Sequence, residues 1–296
     1  MNIFDVSIIC VGRLGGALAL ALSKQGYLIR ELVSRDQEKA EKIADLITPR
    51  PTILGENNLE KITASLIFIT TQDNEIERVA RNLADKLEDL PFVFHTSGSR
   101  SSEILSVLSR EGFEVASFHP LVSFSNSISG VNNFKDAYIC VEGDSEAVAI
   151  AKQIVNDLGG NPFSIEPKFK TLYHASAVTA CGHLIALLSV AIEMLAKCGL
   201  EKGEAKQILL PLVKSTINNF STQTPTEALT GTFARGDIET LQKHLKTLEE
   251  NISAEMKEIY LLLGKQSLEL ASQNGVSEET IQTMNEMLSA KTKVDN

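Results

Sequence analysis

The sequence predicts an α/β domain with a doubly wound parallel sheet, followed by an all-helical domain. Three observations support this fold class. Short apolar runs alternate with helical patterns in the first half, the strand signals stop after Pro167, and a glycine-rich turn joins the first strand to the first helix. A chain of 296 residues is long enough to form two such domains.

The predicted strands are mostly continuous apolar runs, which is typical of parallel strands that helices cover on both faces. They are Val6–Val11, Leu28–Val33, Leu66–Thr70, Phe92–His95, Val115–Phe118, Ala137–Val141 and Pro162–Ile165. Helical patterns separate them at Ala17–Gln25, Gln37–Leu46, Glu75–Leu87, Ser102–Arg110 and Ser145–Leu158. This order predicts right-handed βαβ crossovers.

After Pro167 the sequence indicates helices alone. They are Lys170–Cys198, Lys202–Asn219, Asp237–Leu248, Ala254–Ser272 and Glu278–Ala290. We expect Pro211 to kink the second of these helices. The predicted domains are therefore residues 1–166 and 167–290, with residues 291–296 as a frayed tail.

The most apolar segment, Ala175–Ile192, lies in the first of these helices. Gly182 and His183 interrupt it, which favours a buried helix over a membrane span. The same helix carries more apolar surface than one small domain covers. We therefore expect a homodimer that forms through the helical domain.

The composition points to an ordinary soluble protein. A formal net charge of −10 argues against a general surface for nucleic acid or anionic membranes. The four cysteines form no CxxC pair and lie in apolar contexts, which is typical of reduced, buried thiols. We see no secretory signal and expect a cytoplasmic protein that binds a small-molecule substrate.

Residues 10–15, with the sequence CVGRLG, follow the G-x-G-x-x-G pattern of dinucleotide-binding turns at all but the first glycine. In that pattern Gly12 lets the backbone approach the pyrophosphate, and Gly15 lets the helix pack closely on the strand. A small residue can replace the first glycine if φ stays negative, so we expect Cys10 to be tolerated. The alternative is a purely structural glycine turn. The candidate cofactor ligands are Gly12, Arg13, Leu14 and Gly15.

The end of the second strand indicates which nucleotide binds. NAD-binding domains place an acidic residue there for the ribose 2′-hydroxyl, whereas this chain has Ser34 and Arg35, which suit a 2′-phosphate. The pattern favours NADP(H), unless Asp36 binds the ribose. A further alternative is a solvated Ser-Arg-Asp turn that caps the next helix. Thr71 and Gln72 follow another strand and complete the predicted cofactor site.

Polar motifs follow other strands: HTSGS at 95–99 and FHPLVSF at 118–124, while YHASAV at 173–178 opens the helical half. Ligands of open α/β sheets bind at the carboxyl ends of the strands. We therefore predict His174, His95 and Ser97 as catalytic residues and His119 as substrate-binding. A structural alternative stays open for single histidines, because His95 can bond its own turn and His119 can precede a proline turn. Their spacings match no compact metal motif, so we predict no metal site.

A second candidate for substrate binding lies in the helical half. Gly231 and Gly236 suit a turn, and Asp237 suits the N-cap of the following helix. Arg235 on this turn can clamp a substrate carboxylate by a bidentate contact. The alternative is an Arg-Asp pair that only shapes the loop.

Four stretches together resemble a known two-domain family: HTSG at 95–98, FHPL at 118–121, YHASAV at 173–178, and ALTG with RGD within 228–237. This family joins an N-terminal Rossmann-like domain to a C-terminal domain of unknown function and carries the label of an NADP or deazaflavin-type oxidoreductase. Its helical half is similar to those of pyrroline-5-carboxylate reductase and 6-phosphogluconate dehydrogenase. The resemblance implies a cofactor-binding, dimeric oxidoreductase.

The chain departs from the family at three positions. Cys10 replaces the usual first glycine, Gly182 stands where asparagine is frequent, and Thr232 stands where proline is common. Related β-hydroxyacid dehydrogenases pair a lysine with an asparagine one helical turn later. Lys170 and His174 have this spacing, but we expect Lys170 to be a solvated residue of the first turn.

These features predict hydride transfer between NADP(H) and a small C=O or C=N substrate. His174 takes the proton-transfer role, since imidazole titrates near the working pH. His95 and Ser97 are expected near the nicotinamide ribose or the substrate, and Arg235 is the anion clamp. The alternative, favoured by Gly182 and the unrecognised Lys-Asn pair, is a non-catalytic NADP(H)-binding sensor or regulator that acts through its dimer.

Overall fold

A computed structural model describes residues 4–290, so the predicted tail at 291–296 lies outside the described residues. The chain divides into two compact units, Met1–Cys181 and Gly182–Asn296. This division lies later than the predicted break after Glu166. The reason is that the first turns of the long helix pack on the sheet of the first unit, where Lys170 is only 1% exposed.

The first unit contains an eight-stranded sheet in the order β3-β2-β1-β4-β5-β6-β7-β8. The strands are β1 (Asp5–Ile9), β2 (Leu28–Val33), β3 (Thr52–Leu54), β4 (Leu66–Ile69), β5 (Phe92–His95), β6 (Val115–Pro120), β7 (Tyr138–Gly143) and β8 (Asn161–Phe163). All neighbouring strands are parallel except β6 and β7, which are antiparallel. The predicted doubly wound sheet is therefore confirmed. The prediction missed β3, whose three residues are too few to show a strand period.

Helices cover both faces of this sheet. They are α1 (Arg13–Lys24), α2 (Gln37–Ala44), α3 (Ile76–Lys86), α4 (Ser106–Arg110), α5 (Ser145–Asp157) and α6 (Lys170–Val178). Successive side chains of a strand point to opposite faces. Accordingly Leu66 and Phe68 of β4 belong to one core cluster, with α1, α2 and α5, while Ile67 and Ile69 belong to another, with α3 and α4. Two cores explain the continuous apolar runs.

The second unit consists of helices, as predicted. They are α7 (Leu184–Lys197), α8 (Lys202–Thr222), α9 (Pro225–Ala228), α10 (Ile238–Asn251), α11 (Ala254–Gln273) and α12 (Glu278–Ala290). Its core cluster contains Leu241, Leu245, Leu261, Leu268, Met284 and Leu288. The prediction missed the four-residue α9, although Thr224 and Glu227 form a capping box at its start. Helix α8 continues through Pro211 to Thr222.

The helical run Pro167–Lys197 is long and apolar enough to cross a membrane by length and composition alone, which is weak evidence for a span. None of its most apolar 18 residues is buried within this single chain, so the chain alone does not supply the predicted burial of this helix. A π-helical segment, Thr179–His183, separates α6 from α7 within this run. Large apolar side chains on both sides of this segment are exposed, among them Leu172 and Ile185.

The turn between β1 and α1 depends on close packing at one glycine. A Cβ atom on Gly15 would overlap the Cys10 carbonyl oxygen and the Thr70 hydroxyl. Thr70 Oγ1 donates hydrogen bonds to the carbonyls of Ile9 (3.0 Å) and Cys10 (2.5 Å), so it holds the end of β1 beside β4. The predicted role of Gly15 in helix–strand packing follows from this geometry.

Cys10 adopts the left-handed conformation with φ of +78°. The expectation that φ stays negative here is therefore wrong. The turn keeps the conformation that a first glycine would take, and the cysteine accepts a strain of about 1–2 kcal/mol.

This strain predicts an unusual order of stability at position 10. Cys10→Gly is expected to be tolerated, whereas Cys10→Val lowers the free energy of unfolding by roughly 2 kcal/mol, because a β-branched residue fits positive φ worst. At the neighbouring Val11, where φ is not positive, glycine is the less stable choice, and Val11→Gly is expected to lower the free energy of unfolding. Urea denaturation of the three variants measures this. A Cys10→Val variant more stable than the Cys10→Gly variant would contradict the strained turn.

Candidate functional site

The candidate site lies at the carboxyl ends of the parallel strands, around the switch point between β1 and β4. The chain leaves β1 toward β2 on one side and returns to β4 on the other side. Open α/β sheets bind ligands in the crevice that this reversal creates. The turn after β1, the segment after β4 and the loop after β5 all end at this edge.

The turn after β1 fits a pyrophosphate. Gly12 is the N-cap of α1, and within residues 4–290 no side chain caps this helix and no acidic residue occupies its first turn. A Cβ atom on Gly12 would have no neighbour within 4 Å, so a ligand can approach the backbone. The N–H groups of Arg13 and Leu14 belong to the first turn, where the helix dipole favours anions.

Thr71 provides a second polar group that fits a bound nucleotide. Its Oγ1 is buried and has no hydrogen-bond partner among the described residues. A buried hydroxyl without a partner costs about 1–3 kcal/mol, and such a group is expected to bond to a ligand. Gln72 next to it is exposed and precedes a short 3₁₀ turn. Together with Gly12, these residues fit a dinucleotide.

In the segment Ser34–Asp36, the acidic residue caps the following helix and the arginine points to solvent. The Asp36 carboxylate accepts a hydrogen bond from the Lys39 N–H (3.1 Å) and pairs with the Lys39 ammonium (2.8 Å), so it caps α2. The Lys39 contacts lower the pKa of Asp36. The cap described above as an alternative is therefore present. Arg35 is 74% exposed and reaches out to Glu56.

His95 holds the loop after β5 together. It is fully buried; its Nδ1 accepts a hydrogen bond from the Ser97 N–H, and its Nε2 donates to the Ser101 carbonyl, both at 3.1 Å. Burial lowers its pKa to about 3. Both ring nitrogens are engaged with backbone groups, as in the structural alternative for this residue, and its catalytic assignment stays a prediction.

Ser97 also serves the loop. Its Oγ accepts hydrogen bonds from the N–H groups of Ser99 (3.2 Å) and Arg100 (3.0 Å). The side chain is buried, and its predicted contact with substrate or ribose stays a prediction. Ser99 in turn donates to the Asp73 carboxylate at 2.6 Å, which ties this loop to the segment after β4.

The loop presents Gly98 to two imidazole rings. A Cβ atom on Gly98 would lie 2.6 Å from His119 Nε2 and 2.6 Å from His174 Cδ2. The two ring centroids are 6.3 Å apart. His119 and His174 are 55 residues apart in sequence numbering and were predicted separately, and the structure brings them together.

A buried lysine, Lys170, contacts the same strand that carries His119. Cross-strand pairing places Ser117, His119, Cys140 and Glu142 on one face of β6 and β7. The Lys170 ammonium donates to Ser117 Oγ at 2.7 Å and lies 3.6 Å from the Glu142 carboxylate. The expectation that Lys170 is solvated is therefore wrong. Polar partners on β6 and β7, remote in sequence, compensate its burial.

The partner carboxylate is equally well satisfied. Glu142 accepts hydrogen bonds from the Ser102 N–H (3.0 Å) and the Ser102 hydroxyl (2.7 Å). Cys140 Sγ lies 3.8 Å from Lys170 Nζ, and burial raises the pKa of this thiol. These additional bonds compensate the burial of both charges. Loss of one partner would leave an uncompensated buried charge and lower the free energy of unfolding by about 3–5 kcal/mol.

Tyr173 is a site residue that the sequence reasoning missed. Its hydroxyl lies 2.7 Å from His119 Nδ1. Burial, followed by the positive charges of Lys170 and His174, lowers the pKa of His119 to about 4. Burial also raises the pKa of Tyr173. At neutral pH a neutral imidazole therefore meets a protonated phenol. The helical spacing of Lys170, Tyr173 and His174 was the available signal.

Arg235 belongs to the second unit. The turn before it contains Gly231 with φ of +85°, and Gly236 after it has φ of +62°. Asp237 caps α10 by accepting from the Thr240 N–H at 2.9 Å, as predicted. Arg235 is exposed, and its positive charge adds to the Thr240 hydrogen bonds that lower the pKa of Asp237. Its role as an anion clamp stays a prediction.

Solved structures with the same fold come from several organisms. Protein TM1727 from Thermotoga maritima is 24% identical, with 91% of this chain and 99% of that chain covered and a TM-score of 0.74. A Bacteroides fragilis protein provisionally named an NADP oxidoreductase is 23% identical, with 90% and 98% covered and a TM-score of 0.68. Pyrroline carboxylate reductase from Plasmodium falciparum, with NADP bound, is 13% identical, with 96% and 99% covered and a TM-score of 0.58. At these identities the likeness shows the fold.

Two family models match successive parts of the chain. A Rossmann-like domain matches residues 2–120, and a domain of unknown function, DUF2520, matches residues 137–267. No curated protein is significantly similar in sequence. Together the two models cover most of the chain, in the order that the sequence motifs implied. The chain therefore consists of a Rossmann-like domain followed by a DUF2520 domain, which matches the domain order of the family that the sequence motifs resemble.

Proposed function

We propose that this chain is a cytoplasmic NADP(H)-dependent oxidoreductase that transfers hydride between the nicotinamide and a small C=O or C=N substrate. The observation that carries this proposal is the pair of imidazoles at Gly98, at the same end of the sheet as the open phosphate turn. NADPH supplies the hydride when it is bound. The protein then has to hold the substrate and deliver one proton.

Three features support NADP(H) as the cofactor. Asp36 is engaged in capping α2, so its carboxylate is not free for a ribose. Arg35 is exposed at the end of β2, where a 2′-phosphate binds in domains of this type. One structure of the same fold has NADP bound, and another is provisionally named an NADP oxidoreductase.

His174 is the proposed proton donor in the direction of reduction. It makes no hydrogen bond to any residue that the structure describes, and its ring is half-buried beside Gly98. Hydride adds to the substrate carbon, and the substrate oxygen or nitrogen takes the proton from the imidazolium. His119, which Tyr173 holds, is neutral and orients the substrate by a hydrogen bond.

The class of substrate follows from this division of roles. Hydride transfer to a C=O or C=N bond requires only polarisation and protonation of that double bond from these two rings. Pyrroline-5-carboxylate reductases share the fold, and a pyrroline contains a cyclic C=N bond. We therefore place cyclic imines and keto acids first among the candidate substrates.

The proposed reaction is tested by mixing the protein with NADPH and a panel of keto acids, keto esters and cyclic imines. With an active substrate, His174→Gln is expected to lower kcat/KM by roughly 10²–10⁴ and to leave the Kd for NADPH unchanged. The control His244→Gln removes an imidazole on α10 that contacts Tyr260 and leaves kcat/KM unchanged. Turnover that survives His174→Gln would contradict the assigned role. Tight NADPH binding without any turnover would favour a non-catalytic sensor.

We also propose that the protein is a homodimer formed through its second unit. Exposed apolar side chains line α8, including Leu212 (64% exposed) and Phe220 (58% exposed). A cavity of about 220 Å³ in this unit is lined by apolar residues such as Met194 and Leu263. Exposed apolar side chains that cluster on one helix are typical of an interface between protein chains.

The proposed dimer predicts a species of twice the 32.2-kDa chain mass in sedimentation at micromolar concentration. Leu212→Asp is expected to shift this species toward the monomer, because the interface would bury an unpaired charge. Lys206→Asp on the same helix changes an already charged, exposed side chain and should leave the mass unchanged. A wild-type protein that sediments as a monomer would defeat the dimer.

A further inference from the structure

We propose that Glu56 is a specificity determinant that weakens the preference for NADP(H) over NAD(H), by neutralising the arginine that would hold the 2′-phosphate. This inference rests on the proposed cofactor site. It assigns a role to a residue outside the nucleotide motifs, just beyond a strand that sequence patterns did not reveal.

The fold brings Glu56 to the end of β2. Glu56 lies two residues beyond β3, and β3 pairs with β2 in parallel. The Ser34 N–H donates to the Leu54 carbonyl at 3.0 Å, so the two strand ends are held side by side. Glu56 and Arg35 therefore meet at the edge where the adenosine ribose of a dinucleotide lies in this fold.

The Glu56 carboxylate bridges two guanidinium groups. Its Oε1 lies 3.0 Å from Arg35 Nε, and its Oε2 lies 3.9 Å from Arg78 Nη2. Arg78 also pairs with Glu75 at 2.7 Å. Arg35 has no second carboxylate partner among residues 4–290, so Glu56 alone balances its charge.

This pair acts on the phosphate turn itself. The positive charge of Arg35 lowers the pKa of the Cys10 thiol, and the negative charge of Glu56 raises it, although burial has the larger effect. The Cys10 N–H also donates to the Val33 carbonyl at 2.8 Å, next to Ser34. The ion pair and the turn thus belong to one binding surface.

Glu56 affects the two nucleotides in opposite ways. A 2′-phosphate is an anion, so it competes with Glu56 for the Arg35 guanidinium and is repelled by the carboxylate. A ribose 2′-hydroxyl is a donor, and a carboxylate at the end of the second or third strand can accept its hydrogen bond. Glu56 therefore disfavours NADPH and tolerates or favours NADH.

The experiment measures the Kd of NADPH and of NADH by titration of the full chain, followed by nucleotide fluorescence or calorimetry. Glu56→Gln is expected to lower the Kd for NADPH roughly two- to fivefold, because exposed ion pairs contribute up to about 1 kcal/mol. The Kd for NADH stays unchanged or rises. The gain should shrink at high ionic strength.

Glu75→Gln is the matched control. Glu75 and Glu56 side chains are each 30% exposed and each pairs with Arg78, but only Glu56 pairs with Arg35. The control removes the same charge and should change either Kd less than twofold. An equal gain in both variants would overturn the specific role of Glu56, and so would a Glu56→Gln variant whose NADPH affinity is unchanged or weaker.

Arg35→Ala separates this inference from the proposed function. If Arg35→Ala weakens NADPH binding and the double variant Arg35→Ala/Glu56→Gln shows no gain, the role of Glu56 is supported. If Arg35→Ala leaves both affinities unchanged, the proposed choice of NADP(H) fails first, and the role of Glu56 fails with it. If Arg35→Ala weakens NADPH binding but Glu56→Gln alone has no effect, the role of Glu56 alone is overturned.

Discussion

The buried ammonium of Lys170 is the interaction on which the candidate site depends. It bonds to Ser117 on β6 and pairs with Glu142 on β7, so it fastens the first turn of α6 to one face of the sheet. A charge in this environment is costly unless its partners are complete, and here Ser102 completes the bonds of Glu142. The same attachment brings Tyr173 and His174, one turn further on, over the end of β6.

The histidines at this end of the sheet divide into those that build the site and those that can act in it. His95 uses both ring nitrogens to shape its loop, whereas His174 makes no hydrogen bond to a described residue. His119 stands between these cases, since Tyr173 holds one nitrogen and the other faces Gly98. This division suits hydride transfer, because that reaction needs an oriented substrate and a single proton donor and does not need many catalytic groups.

Local patterns in the sequence predicted the sheet, the helical half and the phosphate turn, because strand and helix periods depend on neighbouring residues. Features set by contacts remote in sequence were predicted poorly. The burial of Lys170 depends on Ser117 and Glu142, and the Thr70 hydroxyl, 60 residues away in sequence, bonds to the carbonyl of Cys10, whose φ is positive. Likewise, β3 has only three residues, so the approach of Glu56 to Arg35 could not be foreseen.

The packing of α6 on the sheet holds a desolvated His119 against Tyr173 and near the buried positive charge of Lys170. The most direct test is the titration of the His119 imidazole, followed by its ring nitrogen or carbon chemical shifts in NMR. We expect a pKa of about 4, below the ordinary 6.5, and a higher pKa in Lys170→Met, because the substitution removes a nearby positive charge that disfavours the imidazolium. If His119 titrates near 6.5 in the wild type and Lys170→Met does not change its pKa, His119 is not held in a desolvated site near the Lys170 charge.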